Sequence, residues 1–180
     1  MTGIIKVDTI QNNGGTTGLT IDSSGRVSMP QIPMLQAVPM FQVHTSGNQY
    51  VSDNHTIQFD SKEIDVGGNF NTSTYTFTAP VNGYYYMNAH VYVRVNSGTD
   101  AMVYYQVNGS DYNGINFGSS IYGYAYNNAG GENHAPIDVP LIMKLTANDA
   151  VTVYIATAGS GAYYEGVRET WWFGHLIGTY

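Results

Sequence analysis

GYYYMNAHVYVRV, residues Gly83–Val95, alternates two kinds of side chain along its whole length. Tyr85, Met87, Ala89, Val91, Val93 and Val95 fall on one side of an extended chain, and Tyr84, Tyr86, Asn88, His90, Tyr92 and Arg94 on the other. A period of two is the mark of a β-strand. The first set is aliphatic enough to belong in a core. The second is neither oily nor fully solvated, and tyrosine suits a surface that is covered in one state and wet in another, because it buries a ring and keeps a hydroxyl for a partner. Outward from this strand the same texture continues. Short apolar runs at Ala37–Val43, Thr56–Phe59, Ile64–Val66, Thr74–Thr78, Ala101–Val107, Ile137–Leu145, Ala150–Ala156 and Glu169–Ile177 are separated by turn residues, among them the hairpin dipeptide Asn108-Gly109. No stretch carries a helical stripe with caps. The reading is all-β, a sandwich or barrel.

The last run, TWWFGHLIG, places Trp171, Phe173, His175 and Ile177 on one face and Trp172, Gly174 and Leu176 on the other. Both faces are apolar, yet in a two-layer sandwich only one meets the core. The spare face, with that of Gly83–Val95, is expected to be a subunit contact; the competing reading is an internal aromatic cluster under a loop.

Composition excludes several classes. Only 11% of the 180 residues are charged, with 6 Lys+Arg against 13 Asp+Glu and a net charge of −7, so the basic surface that a nucleic-acid binder needs is missing. A hydrophobic content of 43% argues against disorder. No apolar run reaches the length of a membrane span, so no insertion is expected. There is no Cys, hence no disulfide or thiol chemistry. MTGIIKVDTIQNN lacks the apolar core and cleavage site of a secretion signal, which leads us to expect synthesis in a reducing cytoplasm.

Residues 1–33 differ from the rest. They are polar and turn-rich, and GLTIDSSGRVSMP reads as a small hairpin, Leu19–Ile21 and Val27–Met29 around Ser23-Ser24-Gly25. Such a piece is marginal alone, and Pro30 and Pro33 close it off. The expected division is an N-terminal anchor segment, 1–33, and a domain, 34–180.

From about Val38 to Gly178 the chain resembles the globular head of complement component C1q, a tumour-necrosis-factor-like jelly roll. Phe59, Phe70 and Asn71 precede FTAPVNGYYYM, in which Phe77, Ala79, Pro80, Gly83 and Tyr85 match the family's F-x-A-P-x-x-G-x-Y-x-F. Val107-Asn108-Gly109, the run LIMKLTANDAVTVYI with Leu145, Asp149 and Val151–Val153, and WWFGHLIG with Trp172, Gly174 and Leu176 follow in the family's order. Met87 and Ala89 stand where aromatics are usual, and Asn148 where Gly usually precedes Asp149, so local packing is expected to differ, drawing on the extra tyrosines. The resemblance implies a ten-strand jelly roll forming a homotrimer, with the outer face of the sheet that holds Gly83–Val95 and Glu169–Ile177 lining the three-fold contact. The implied contact residues are Tyr84, Tyr86, His90, Tyr92, Trp171, Phe173, His175 and Ile177. The N-terminal segment, IIKVDTIQNNGGTTGLTIDSSGRVSMP, resembles the leader of tail-fibre, appendage and head-fibre proteins of tailed bacteriophages.

No catalytic pattern is present: there is no G-x-S-x-G elbow, no phosphate loop and no G-x-G-x-x-G. Glu132, His134 and Asp138 in GGENHAPID read either as decoration of a flexible loop or as metal ligands at a spacing that fits no established site. No cofactor is expected; calcium stays open at Asp100, Asp111 and Asp149, against solvated turn aspartates. His90 and His175 sit on the suspected contact and are either neutral hydrogen-bonded histidines or, near a three-fold axis, groups whose protonation loosens the assembly. The stretch Tyr104–Asn128 has the Tyr, Asn, Ser and Gly composition of recognition loops. Tyr112, Tyr122, Tyr124 and Tyr126, joined by Tyr163 and Tyr164, are candidate ligand contacts, a host-surface glycan being the natural target; the alternative is tyrosine packed on the protein's own body.

The expectation is therefore a non-enzymatic virion protein of a tailed phage. It would be a homotrimer held to other virion proteins through residues 1–33, serving as capsid or tail decoration, fibre tip or host adhesin. A free lectin-like binding module is the alternative, and a depolymerase at trimer clefts a third.

Overall fold

The computed structural model describes residues 7–11, 14–15, 17–28, 38–51, 54–112, 122–127, 130–158, 162–164, 166 and 169–180. The chain divides into two units, Met1–Val38 and Pro39–Tyr180. Every described element is a strand, so no helix is long and apolar enough to cross a membrane.

In the first unit β1 (Thr9–Gln11), β2 (Thr17–Ile21) and β3 (Val27–Ser28) form an antiparallel meander in that order. The expected hairpin is there, with one more strand than the sequence suggested; Met29 lies outside the described residues. Its turn is closed by Asp22, whose Oδ1 accepts the Ser24 and Arg26 backbone N–H at 2.9 Å and whose Oδ2 pairs with Arg26 Nε at 2.7 Å. These contacts with Arg26, backbone first, hold the Asp22 carboxyl below its usual pKa.

The second unit is a two-sheet sandwich. Sheet I is built on β10 (Gly83–Asn96), which pairs along its whole length with β14 (Glu132–Leu145). On its other side lie β17 (Trp171–Thr179) and the short β16 (Ala162–Tyr164), end to end. β4 (Met40–His44) and β5 (Gln49–Val51) follow, then β7 (Ser61–Val66). Sheet II is built on β11 (Asp100–Val107) and β15 (Ala150–Ala158). β12 (Ser110–Asp111) and β13 (Tyr122–Tyr126) share the free side of β11. β6 (His55–Thr56) and β9 (Thr76–Thr78) share that of β15, and β8 (Phe70–Asn71) closes the sheet beside β9. Each sheet is thus five positions wide among the described residues, and the expected ten-strand sandwich is present.

Burial follows the pattern of β10 without exception: the odd residues from Gly83 to Val95 are buried and the even ones are not. Trp172 is the hub of the core, edge-on to Phe41 at 4.8 Å between ring centroids and to Phe70 at 5.5 Å, with Phe59 at 5.7 Å and Tyr105 at 6.0 Å. Gly83, part of the family-like run, starts β10 where β17 carries an irregularity at Ile177. A Cβ at Gly83 would run into the Leu176 side chain and the carbonyl oxygen of Gly178.

The turns explain two sequence signals. Asn108 and Gly109 both adopt positive φ, 53° and 76°, as a tight hairpin requires. Asn148 has φ 74°, the left-handed region that Asn tolerates better than other side chains, so it takes the family's glycine position without a break in the turn. Three expectations need correction. Ile57 and Phe59 are fully buried but lie beyond the two-residue β6; the Ile57 N–H still donates to Val153 O, one position past the end of the β6–β15 ladder. Thr74 and Tyr75 form a turn, Tyr75 at φ 57°. GGENHAPID is not a loop: Glu132–Asp138 is the first half of β14, because its alternation pairs residue for residue with Asn96–His90.

Three tyrosines enter the core, one of them beside the small Ala89. The Tyr105 hydroxyl donates to Val139 O at 2.9 Å and lies against the Ala89 backbone, Tyr85 donates to Val81 O at 2.8 Å, and the Tyr164 hydroxyl accepts from Gln58 N at 3.1 Å. Burial pushes all three phenols up from their usual value, Tyr105 well up. The folded state holds these protons while the unfolded chain releases them near pH 10. Their stabilising effect is therefore intact below pH 10 and is lost as pH rises above it. Melting temperature should stay level from pH 8 to 9.5 and fall steeply above 10, and part of the tyrosinate absorbance should appear only in a cooperative step that coincides with unfolding. A melting temperature unchanged from pH 9 to 11 would contradict it.

Candidate functional site

The sandwich leaves two faces outside the core, and they are chemically unlike. On sheet I the even residues of β10 project away from the core, as do Trp171, Phe173 and His175 of β17, which pair opposite His90, Asn88 and Tyr86. The rings form a continuous run. His90 stacks on Trp171 at 5.1 Å and 12°, Trp171 stacks on Phe173 at 5.5 Å and 20°, and Tyr86 sits 5.8 Å from Phe173 and 5.7 Å from His175. Tyr84 meets Tyr180 at 5.5 Å, and Tyr92 meets His134 at 6.0 Å. All eight residues assigned to the contact from sequence thus share this face, and Ile177, in the irregular part of β17, is 52% exposed.

Register brings in residues that the sequence alone did not indicate. β14 contributes Pro136, Asp138, Pro140, Ile142 and Lys144, opposite the even residues of β10. Met40, Gln42 and His44 of β4 lie opposite His175, Phe173 and Trp171. Ile142 is 53% exposed and Ile64 41%. His44 Nε2 is 3.2 Å from Glu63 Oε1, and Gln42, His44, Glu63, Ile64 and Trp171 line a pocket of about 410 Å³. Which residues share a face can be read from alternation within one strand; which strands lie side by side cannot.

His90 Nδ1 is 2.9 Å from Asp138 Oδ1. His90 is thus hydrogen-bonded, as one of its two readings from sequence expects. Glu132, His134 and Asp138 are spread along one extended strand, spanning roughly 20 Å at 3.3 Å per residue, too far to hold a common ion. Among the described residues no group of three His, Asp or Glu is gathered as a metal site. The calcium candidates are separately occupied. Asp149 accepts Thr146 N at 2.7 Å and Asn108 Nδ2 at 2.8 Å, Asp111 accepts Gln106 Nε2 at 3.1 Å, and Asp100 accepts the Tyr124 hydroxyl at 3.1 Å.

The candidate ligand tyrosines divide. Tyr124 and Tyr126 stand exposed on β13, on the outer face of sheet II; Tyr122 shares their strand. Tyr163 belongs to β16 in sheet I. Tyr112 packs partly against the core and accepts from Lys144 N at 3.2 Å. Tyr164 is a correction: it is fully buried, since the strand alternation of β16 turns it inward, and it cannot face a ligand. Residues 113–121 of the tyrosine-rich stretch lie outside the described residues.

The sequence profile of the C1q domain matches residues 40–177, the span that holds both sheets. The chain belongs to the C1q domain family. Among solved structures, the C1q-like body resembles the globular domain of the zebrafish complement 1qA protein, at 19% identity and TM-score 0.55, covering 80% of this chain and 100% of that one. It also resembles the Eiger TNF from S. frugiperda, at 10% identity and TM-score 0.59, covering 79% and 94%. Murine APRIL matches at 11% identity and TM-score 0.56, covering 78% and 100%. The sandwich is therefore a jelly roll of C1q and TNF type. No curated protein matches the sequence.

Proposed function

We propose that this C1q-type chain is a non-enzymatic binding module that works as a homotrimer, with the outer face of sheet I as the contact between copies. The observation that carries the reading is the aromatic run from Tyr86 through Phe173 and Trp171 to His90, flanked by half-exposed Ile142, Ile64 and Met40. A continuous aromatic run on the surface of a protein with so few charges favours association over solvation. Copies meet by faces rather than by strand addition. Pro136 and Pro140 of β14 have no N–H to give β10, so their nitrogens face the free edge, which loses two donors. The Lys144 N–H on that edge is taken by the Tyr112 hydroxyl.

In this reading the N-terminal unit attaches the trimer to the virion of a tailed phage, where the module decorates capsid or tail or adheres to the host. Support comes from the leader-like sequence before Pro33 and from the separate meander at Thr9–Ser28. Sedimentation of the full chain at micromolar concentration should give three times the chain mass. A single-chain species would overturn the trimer. Mass spectrometry of purified phage particles should find the protein at a symmetry-related copy number; its absence would favour the free lectin-like module.

A further inference from the structure

The outer face of sheet II is the other uncommitted surface, and its chemistry is not that of sheet I. β11, β13 and β15 align Tyr124 beside Met102, and Tyr104 beside Tyr154, whose rings lie 5.4 Å apart. Tyr124 and Tyr126 are 51% and 52% exposed. Tyr124 and Tyr126 face outward while Gly123 and Ala125 face in, and a Cβ at Gly123 would strike the Ile137 side chain. That close approach seats β13 against β14 and fixes where Tyr124 stands. Two carboxylates border the rings: Asp100, which accepts the Tyr124 hydroxyl, and Asp111, which holds Gln106. Not one strand of sheet II contains Lys or Arg.

We propose that this face is a saccharide-binding platform for uncharged sugars, with Tyr104, Tyr124 and Tyr126 as ring surfaces and Asp100 and Asp111 as acceptors for sugar hydroxyls. It deepens the adhesive reading above and rests on it for biological sense, but not for its location, which is on the opposite sheet. Tyrosine supplies a flat apolar ring against the C–H face of a pyranose and a hydroxyl at its rim. Carboxylates are acceptors only, matching a ligand rich in O–H donors. Burial, then Asp111 and Tyr154, push the Tyr104 phenol up, so its hydroxyl remains a donor through the neutral range. A sulfated, sialylated or uronic sugar, or a nucleic acid, meets two carboxylates and no cation here, on a chain of net charge −7. Among the described residues, a protein partner of the kind suited to sheet I would find no exposed isoleucine or indole on this face.

The test uses the full chain on an array of immobilised neutral hexose and N-acetylhexosamine oligosaccharides, printed beside sialylated and uronate oligosaccharides. Binding to neutral members is expected, and Tyr124→Ala/Tyr126→Ala should weaken it at least tenfold with melting temperature and sedimented mass unchanged. Asp100→Asn should weaken it severalfold. Monomeric Trp171→Glu/Phe173→Glu protein should retain the solution affinity per site, so that failure of the trimer and failure of the platform are read separately. Absence of binding to every neutral sugar, preference for the acidic ones, or full binding by the Tyr124→Ala/Tyr126→Ala chain overturns the proposal.

Discussion

Trp171→Glu/Phe173→Glu should sediment at one third of the wild-type mass while keeping its β-sheet circular dichroism. The two rings stack on each other and Trp171 on His90, so the substitution breaks the run at its centre. On the proposed contact face each new carboxylate would be covered by a neighbouring copy, and burying an unpaired charge there costs several kcal/mol per site. In a lone chain the same carboxylates stay in water, and the fold loses only the stacking contacts of two half-buried rings. Aromatic anchors near the middle of an interface carry a disproportionate share of association, so a shift of at least a hundredfold in the association midpoint is expected. A trimer that persists with both substitutions would show that the copies meet elsewhere.

Trp172→Ala, one residue away, should do the reverse and unfold the domain. Trp172 is fully buried and touches Phe41, Phe59, Phe70 and Tyr105. Deleting a core aromatic of this size costs about 3–5 kcal/mol, a large part of the roughly 5–15 kcal/mol that holds a domain together. Among the described residues its Nε1 has no hydrogen-bond partner, so nothing polar is lost that would soften the reading as pure packing. Thermal unfolding should drop by more than ten degrees, or the protein should fail to accumulate. Trp172→Phe, which keeps a ring and strands no N–H, should retain most of the stability. A change under 1 kcal/mol for Trp172→Ala would place the hub of the core elsewhere.

Alternation alone put Trp171 and Trp172 on opposite faces, and the family resemblance supplied which face turns outward; the two faces of β10 were legible from alternation and side-chain chemistry. The all-β class followed from the same period, and the F-x-A-P-x-x-G and Asn-Gly signals located strand ends that the structure confirms. Other features were not legible. Glu132–Asp138 reads as a loop because Gly130-Gly131 precede it and Asn133, Pro136 and Asp138 are poor strand formers; its place beside β10 is set by the partner strand, not by its own propensity. Tyr163 and Tyr164 are chemically identical in sequence, and only the pairing of β16 with β5 and β10 sends Tyr164 into the core. Asp138 beside His90 arises from residues 48 positions apart.

What the chain encoded locally is each strand's inward and outward side, because a period of two needs no neighbour to be expressed. What tertiary structure alone decided is adjacency: β14 beside β10, β4 beside β17, and β13 beside β11. Those pairings convert scattered residues into an aromatic face on one sheet and a tyrosine platform on the other. Register between strands far apart in sequence is chosen by how their inward side chains pack around Trp172, a collective condition that no single segment carries.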